Sequence, residues 1–202
     1  MQGRMAHRSK IASRGEDSGL SGPSRSGAVP VHRLGPEALG MRHAYAVVDA
    51  PVEIGTCTKV WQFATIIRSA RIGEHCTIGA CSVVDGAEVG DRCLIGHGAQ
   101  LHPGTKIGND VFVGPGATFC NDMWPRTSKD GFDVGDRWTI IVEDGAVIGA
   151  GAIILPGVRI GAGSMIAAGV VCEDILPPGV LLQRNGYVTA MPENRKRMRF
   201  AA

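Results

Sequence analysis

An apolar residue recurs every six positions along most of this chain: Ile54, Val60, Ile66, Ile72, Ile78, Val83, Val89, Ile95, Leu101, Ile107, Val113 and Phe119, then Val142, Ile148, Ile154, Ile160, Ile166 and Cys172. Four residues after each beat stands a small side chain, such as Ala64, Ala70, Cys76, Ser82, Ala87, Cys93, Ala99, Ala117, Ala146, Ala152 and Ser164. A helix repeats its apolar face at about 3.6 residues and a half-buried strand at about 2, so a beat of six belongs to the hexapeptide class of parallel β-helix. Three hexads close one triangular coil. The beat residue fills the interior, and the small residue sits where the faces converge. Gly often follows the beat, as at Gly73, Gly79, Gly96, Gly114 and Gly149, which suits a tight turn at each corner. The eighteen hexads predict an all-β solenoid of about six coils, stable because each coil buries its face against its neighbours.

The remainder of the chain has no such period. Residues 1–40 are rich in Ser, Gly, Arg and Pro, a composition that predicts a disordered extension over 1–41, with Met41 as an alternative translation start. The coil domain is expected over 42–182 and a basic C-terminal tail over 183–202. Residues 1–40 hold six Lys/Arg against three acids, residues 183–202 five against one, and the span between ten against fifteen. A mildly acidic coil domain argues against a nucleic-acid partner. The six cysteines form no CxxC pair, and Cys76 and Cys93 occupy the small buried slot. That usage suits a reducing cytoplasm better than a disulfide framework. No apolar run approaches the roughly 18 residues that span a bilayer, so no membrane partner is expected.

The period breaks twice. A one-residue slip falls between Ile78 and Val83 and reads as a tightened turn. The larger break, a loop over 120–141, contains Asn121, Asp122, Trp124, Pro125, Arg126 and Trp138; an excursion of that length in a solenoid is where function is usually carried. Positions eighteen apart share a corner on successive coils. His97 therefore stands beneath Pro115, Ala150 and Ala168, in turns reading GPG, GAG and AAG. Side-chain-poor corners above a histidine predict a shallow groove lined by backbone N–H groups, fit for a thin extended ligand. His102 falls on the next corner, below the departure of the 120–141 loop. His75 reads as a solvated turn residue.

The runs KVWQFATI at 59–66 and FCNDMWPR at 119–126, with the hexads between them, resemble the bacterial nucleotide-sugar N-acetyltransferases of left-handed β-helix type. Their substrates are UDP-linked 2-acetamido-3-amino-glucuronate or dTDP-linked 3-amino-3,6-dideoxyhexoses. The resemblance covers about residues 42–178 and implies a left-handed helix, a homotrimer with active sites between subunits, acetyl-CoA as cosubstrate and no metal. It places His97 beside the attacking amine, with His102 as a second catalytic candidate. Gln100, Asn121, Asp122 and Arg126 fall in the sugar-nucleotide site, and Gly149, Ala150, Ala167 and Ala168 along acetyl-CoA. Two departures stand out: Gln62 replaces a family histidine after Trp61, and the usual Gly-Asn-Pro-Ala-Arg ending is absent. Arg195, Lys196, Arg197 and Arg199 are candidate contacts for the coenzyme 3′-phosphate, or a solvated basic tail.

The expected chemistry is acyl transfer to a sugar amine in surface polysaccharide synthesis. A neutral imidazole within about 2.6–3.2 Å of the amine is suited to take its proton near neutral pH, which makes His97 a candidate base, or otherwise a group that orients the amine. The stretch IGHGAQLHPGTKIG at 95–108 is also similar to the γ-class carbonic anhydrases, whose His-x4-His supplies two zinc ligands. A catalytic zinc site takes three protein ligands, and the hexad count puts Val84 where the third would stand. An O-acetyltransferase, an N-formyltransferase and a non-catalytic scaffold are the other readings of the same coils.

Overall fold

The computed structural model describes residues 40–127 and 138–192. The expectations for residues 1–39 and for Arg195, Lys196, Arg197 and Arg199 lie outside the described residues. Each hexad contributes a strand of two or three residues and a turn, and the strands stack into three sheets. The first face holds Val47–Val48, Thr65–Ile67, Val83–Asp85, Gln100–Leu101, Thr118–Phe119, Ile153–Ile154 and Val171–Cys172. The second holds Glu53–Ile54, Arg71–Ile72, Glu88–Val89, Thr105–Ile107, Ile140–Val142 and Arg159–Ile160. On the third lie Lys59–Val60, Thr77–Ile78, Leu94–Ile95, Phe112–Val113, Val147–Ile148, Met165–Ile166 and Val180–Leu182. The result is a left-handed parallel β-helix of about 7 turns. The extra turn over the expected six comes from Val47–Val48 and Val180–Leu182, which continue the ladders where the six-residue pattern has lapsed.

Burial follows the two sequence rules. The beat residues from Val60 to Cys172, with one exception, are at most 5% exposed, and every small-slot residue from Thr58 to Val170 is at most 7% exposed. Buried hydroxyls and thiols in that slot bond to turn carbonyls: Thr58 Oγ1 to Gly73 O at 2.8 Å, Ser82 Oγ to Gly79 O at 2.6 Å, Cys76 Sγ to Gly90 O at 3.0 Å. The buried Cys76, Cys93 and Cys172 are free thiols and pack as small residues.

The exception corrects the register. Val84, not Val83, is fully buried, and it pairs with Ile66 below and Leu101 above. The missing residue is lost from the following turn, where Gly86 at φ 61 closes a shortened corner by donating its N–H to Ile67 O at 3.0 Å. The slip thus lies between Val84 and Val89, and the residue beneath His102 is Asp85 rather than Val84. Two boundaries also move. Ile140 is already a buried strand residue, so the excursion ends before it. Residues 183–192 begin not as a tail but as a hairpin, with Val188–Ala190 returning antiparallel along Val180–Leu182.

The outward positions divide the three faces by polarity. The second face presents Glu53, Arg71, Glu88, Lys106 and Arg159, with ion pairs Arg71–Glu53 at 3.6 Å and Lys106–Glu88 at 3.5 Å. The first and third present mainly apolar side chains: Ile153 is 38% exposed, Val171 52%, Leu94 41% and Phe112 40%. The corner between these two apolar faces is the one that carries His97.

Candidate functional site

The three corners of the prism treat their turn N–H groups differently. At the corner joining the second face to the third, side chains reach down and close them. Asp91 Oδ1 accepts from Glu74 N–H at 2.8 Å, Asn109 Oδ1 from Asp91 N–H at 2.8 Å, and Asp144 Oδ1 from Asn109 N–H at 2.7 Å. Glu143 Oε2 takes the Ala162 N–H at 2.9 Å. Arg159 and that N–H hold the Glu143 carboxyl below its usual range. A depression of about 450 Å³ lined by Lys106, Ile141, Glu143 and Asp144 lies here, on the charged side of the prism and away from His97.

Among the described residues, the corner joining the third face to the first is capped by a side chain once. His97 Nδ1 accepts the Ala80 N–H at 2.8 Å, the same downward reach that Asp91 and Asn109 make. Above it, Pro115, Ala150 and Ala168 have no side chain able to do so. The N–H groups of His97, Ala150 and Ala168 have no hydrogen-bond partner among the described residues. Two sets of glycine keep this corner bare. A Cβ on Gly96, Gly114 or Gly149 would overlap the backbone of the coil above. Gly98, Gly116, Gly151 and Gly169 take φ of 64 to 71 at the turn apex, and a Cβ on them would meet nothing within 4 Å. The turns above His97 are therefore bare of capping side chains, and Gly149, Ala150, Ala167 and Ala168 lie on the upper ones.

His97 is exposed. Because Nδ1 is an acceptor, the neutral ring carries its proton on Nε2 and shows the groove a donor. Gln100 is exposed on the adjoining first face, between Val83 and Thr118. His102 is half-buried at the far end of that same strand, on the corner joining the first face to the second. The two histidines thus serve different corners, one face apart.

The loop corner has its own chemistry. His102 lies over Asp85 and under Cys120. Asp85 is 9% exposed, with Oδ1 at 3.3 Å from Arg68 Nε but without hydrogen-bond alignment. Thr105 Oγ1, at the end of the same turn, is the other buried side-chain oxygen without a hydrogen bond among the described residues. Burial pushes the Cys120 thiol up, so it stays protonated at neutral pH. Asn121 and Asp122 are half-buried where the loop leaves, and Asp122 Oδ1 accepts the Trp124 N–H at 2.8 Å. Arg126 is exposed, and Trp124 is 75% exposed. Asp85 is the residue that sequence reasoning missed: in Val83-Val84-Asp85 either valine satisfies the apolar beat, and only packing chooses. Among the described residues no three His, Cys, Asp or Glu side chains gather as a metal site, and no helix is long and apolar enough to cross a membrane.

The family model for the bacterial transferase hexapeptide, six repeats, matches residues 86–121 and 139–174. The bifunctional protein GlmU of an Azoarcus strain is 27% identical over 156 residues, 65% of this chain and 34% of that protein. GlmU of Alkalilimnicola ehrlichii is 30% identical over 147 residues, 61% of this chain and 32% of that protein. The chain thus spans about a third of the length of these curated relatives. The solved structure of the BC4754 gene product of Bacillus cereus has a TM-score of 0.62 at 22% identity, covering 76% of this chain and 88% of that one. At such identity the likeness speaks for the fold. The matched repeats run through the coils that hold His97, His102 and the bare corner, and the three-sheet prism is the fold expected of such repeats.

Proposed function

We propose that the protein is an acetyl-CoA-dependent N-acetyltransferase acting on the amino group of a nucleotide-linked amino sugar, in the cytoplasm, for a surface polysaccharide. The observation that carries this reading is the uncapped corner above His97. A column of free N–H groups at Ala150 and Ala168, with bare glycine apexes beside them, suits the pantetheine arm of a coenzyme, a thin chain whose amide carbonyls need donors. The arm would bring its thioester down to the coil of His97.

The amine lone pair attacks the thioester carbonyl carbon, the C–S bond breaks, and CoA leaves as thiolate while the new amide nitrogen gives up a proton to it or to water. His97 enters as a hydrogen-bond donor through Nε2, steadying the oxygen that gains charge; loss of such a donor costs roughly 3–4 kcal/mol of barrier. Nδ1 is engaged by Ala80, and this favours positioning over base catalysis. Asn121, Asp122 and Arg126 hold the sugar nucleotide by the resemblance of FCNDMWPR. In one chain that loop leaves a corner one face away from the groove. A homotrimer would set the loop of one subunit against the groove of the next, and the two apolar faces flanking the groove support such packing, leaving the charged face to solvent.

The test is thiol release from acetyl-CoA by the full chain with UDP- and dTDP-linked 3-amino and 4-amino sugars, with and without chelator. Release with one amino sugar, unaffected by chelator, is the expected result. Silence across the panel together with chelator-sensitive CO2 hydration would replace the transferase by the zinc enzyme.

A further inference from the structure

The foot of the groove corner is built differently from its upper coils. The apex position held above by Gly98, Gly116, Gly151 and Gly169 is taken there by Phe63 at φ 60, whose N–H bonds to Tyr45 O at 3.0 Å. The Tyr45 and Phe63 rings are stacked, with centroids 5.8 Å apart and planes within 5°. Both remain open to solvent, Tyr45 at 67% and Phe63 at 58%. The strand that leads into this turn carries Lys59, which precedes Val60, and Arg42 bridges to Val60 from below. Both are exposed, and neither has an ion-pair partner among the described residues. On the coils above, Arg68, Arg71, Arg92, Lys106 and Arg159 all have acidic partners.

We propose that this foot binds the nucleoside diphosphate of the sugar substrate, with the base on the Tyr45–Phe63 stack and the diphosphate against Lys59. The proposal rests on the nucleotide-sugar reading above. An aromatic face accepts any base through its π surface, and an unpaired ammonium is the natural partner of a phosphate oxygen. The spacing also agrees. Phe63 lies two coils below the turn of His97, about 10 Å at the usual strand separation, the reach of a ribosyl diphosphate between a base and a sugar amine. The acetyl group then descends along the bare turns, the nucleotide rises from the foot, and the reacting atoms meet at the coil of His97. CoA carries an adenosine diphosphate of its own, so the experiment separates the two sources.

Isothermal titration of the full chain with UDP, dTDP, 3′,5′-ADP and acetyl-CoA tests this on wild type, on the double variant Tyr45→Leu/Phe63→Leu and on Lys59→Gln, a surface change that leaves every core residue intact. The expected result is that UDP or dTDP binds wild type and weakens roughly tenfold or more in the double variant, the scale of losing a base-stacking surface. Lys59→Gln weakens the same nucleotide, while acetyl-CoA affinity and the oligomeric state are unchanged. Equal nucleotide binding by all three proteins overturns the site and leaves the transferase reading standing. Weakening of 3′,5′-ADP and acetyl-CoA instead assigns the foot to the coenzyme, and a changed oligomeric state makes the ring pair a subunit contact. Failure of both nucleotides to bind wild type that still binds acetyl-CoA removes the nucleotide-sugar reading itself.

Discussion

A single hydrogen bond changes what His97 is expected to do. With Nδ1 accepting from Ala80 N–H, the imidazole copies the turn caps made by Asp91 and Asn109. Asparagine at this position would bond the same N–H through Oδ1 and still offer an N–H to the groove. His97→Asn is therefore predicted to keep kcat/KM within about tenfold, whereas His97→Ala, which leaves no donor, falls by about a hundredfold or more. The two variants' pH–rate profiles check the assignment: if His97→Asn removes a rising limb in the imidazole range, His97 is a base and the donor role is wrong. Glu143 supplies a second test at this scale. Its folded-state pKa is lowered by Arg159 and the Ala162 N–H, so its contribution is full above the ordinary carboxylate range and is lost as pH falls through the folded-state value. Glu143→Gln should lower Tm slightly at neutral pH and flatten its acid limb, the two proteins converging at low pH.

The turns are the elements that separate a structural corner from a receptive one. Where the position two after the beat carries Asp or Asn, the N–H of the coil below is closed; where it carries Pro or Ala, that N–H stays open. Ala168→Asp converts one into the other. The carboxylate would accept the Ala150 N–H as Asp144 accepts that of Asn109, filling the groove and placing a negative charge in it. The expected outcome is a Tm equal to or above wild type together with loss of acetyl-CoA binding, read by calorimetry and titration on the same sample. A fall in both would mean that the corner is bare for packing alone. The converse element is the interior ladder, where Ile148, Ile154, Ile160 and Ile166 are all fully buried. Ile154→Ala should cost about 2–5 kcal/mol in denaturant unfolding.

For the whole molecule, the polarity of the three faces is the main predictor. Charged ladders on the second face need no partner, and the apolar rows flanking the groove leave more exposed hydrocarbon than single scattered residues would. If the proposed homotrimer packs through these rows, Leu94→Lys with Phe112→Lys gives a monomer by light scattering and abolishes the proposed transfer, whereas Lys106→Ser on the charged face changes neither. Retention of a trimer by the double variant would place the interface elsewhere.

The solenoid was legible in the amino-acid sequence because each coil contacts only its neighbours, so one local rule, repeated, determines every layer of the core. The same locality let stacking arithmetic bring His97, Pro115, Ala150 and Ala168 to one corner and put His102 under the loop. It failed at Val83–Asp85, where two adjacent valines satisfy the pattern equally and the close packing of Val84 between Ile66 and Leu101 decides. It gave no sign of the His97–Ala80 bond or of the Tyr45–Phe63 stack. Those depend on how side chains and turns from different coils meet across the stacking direction, a distance that the order of residues does not contain and that only the folded prism sets.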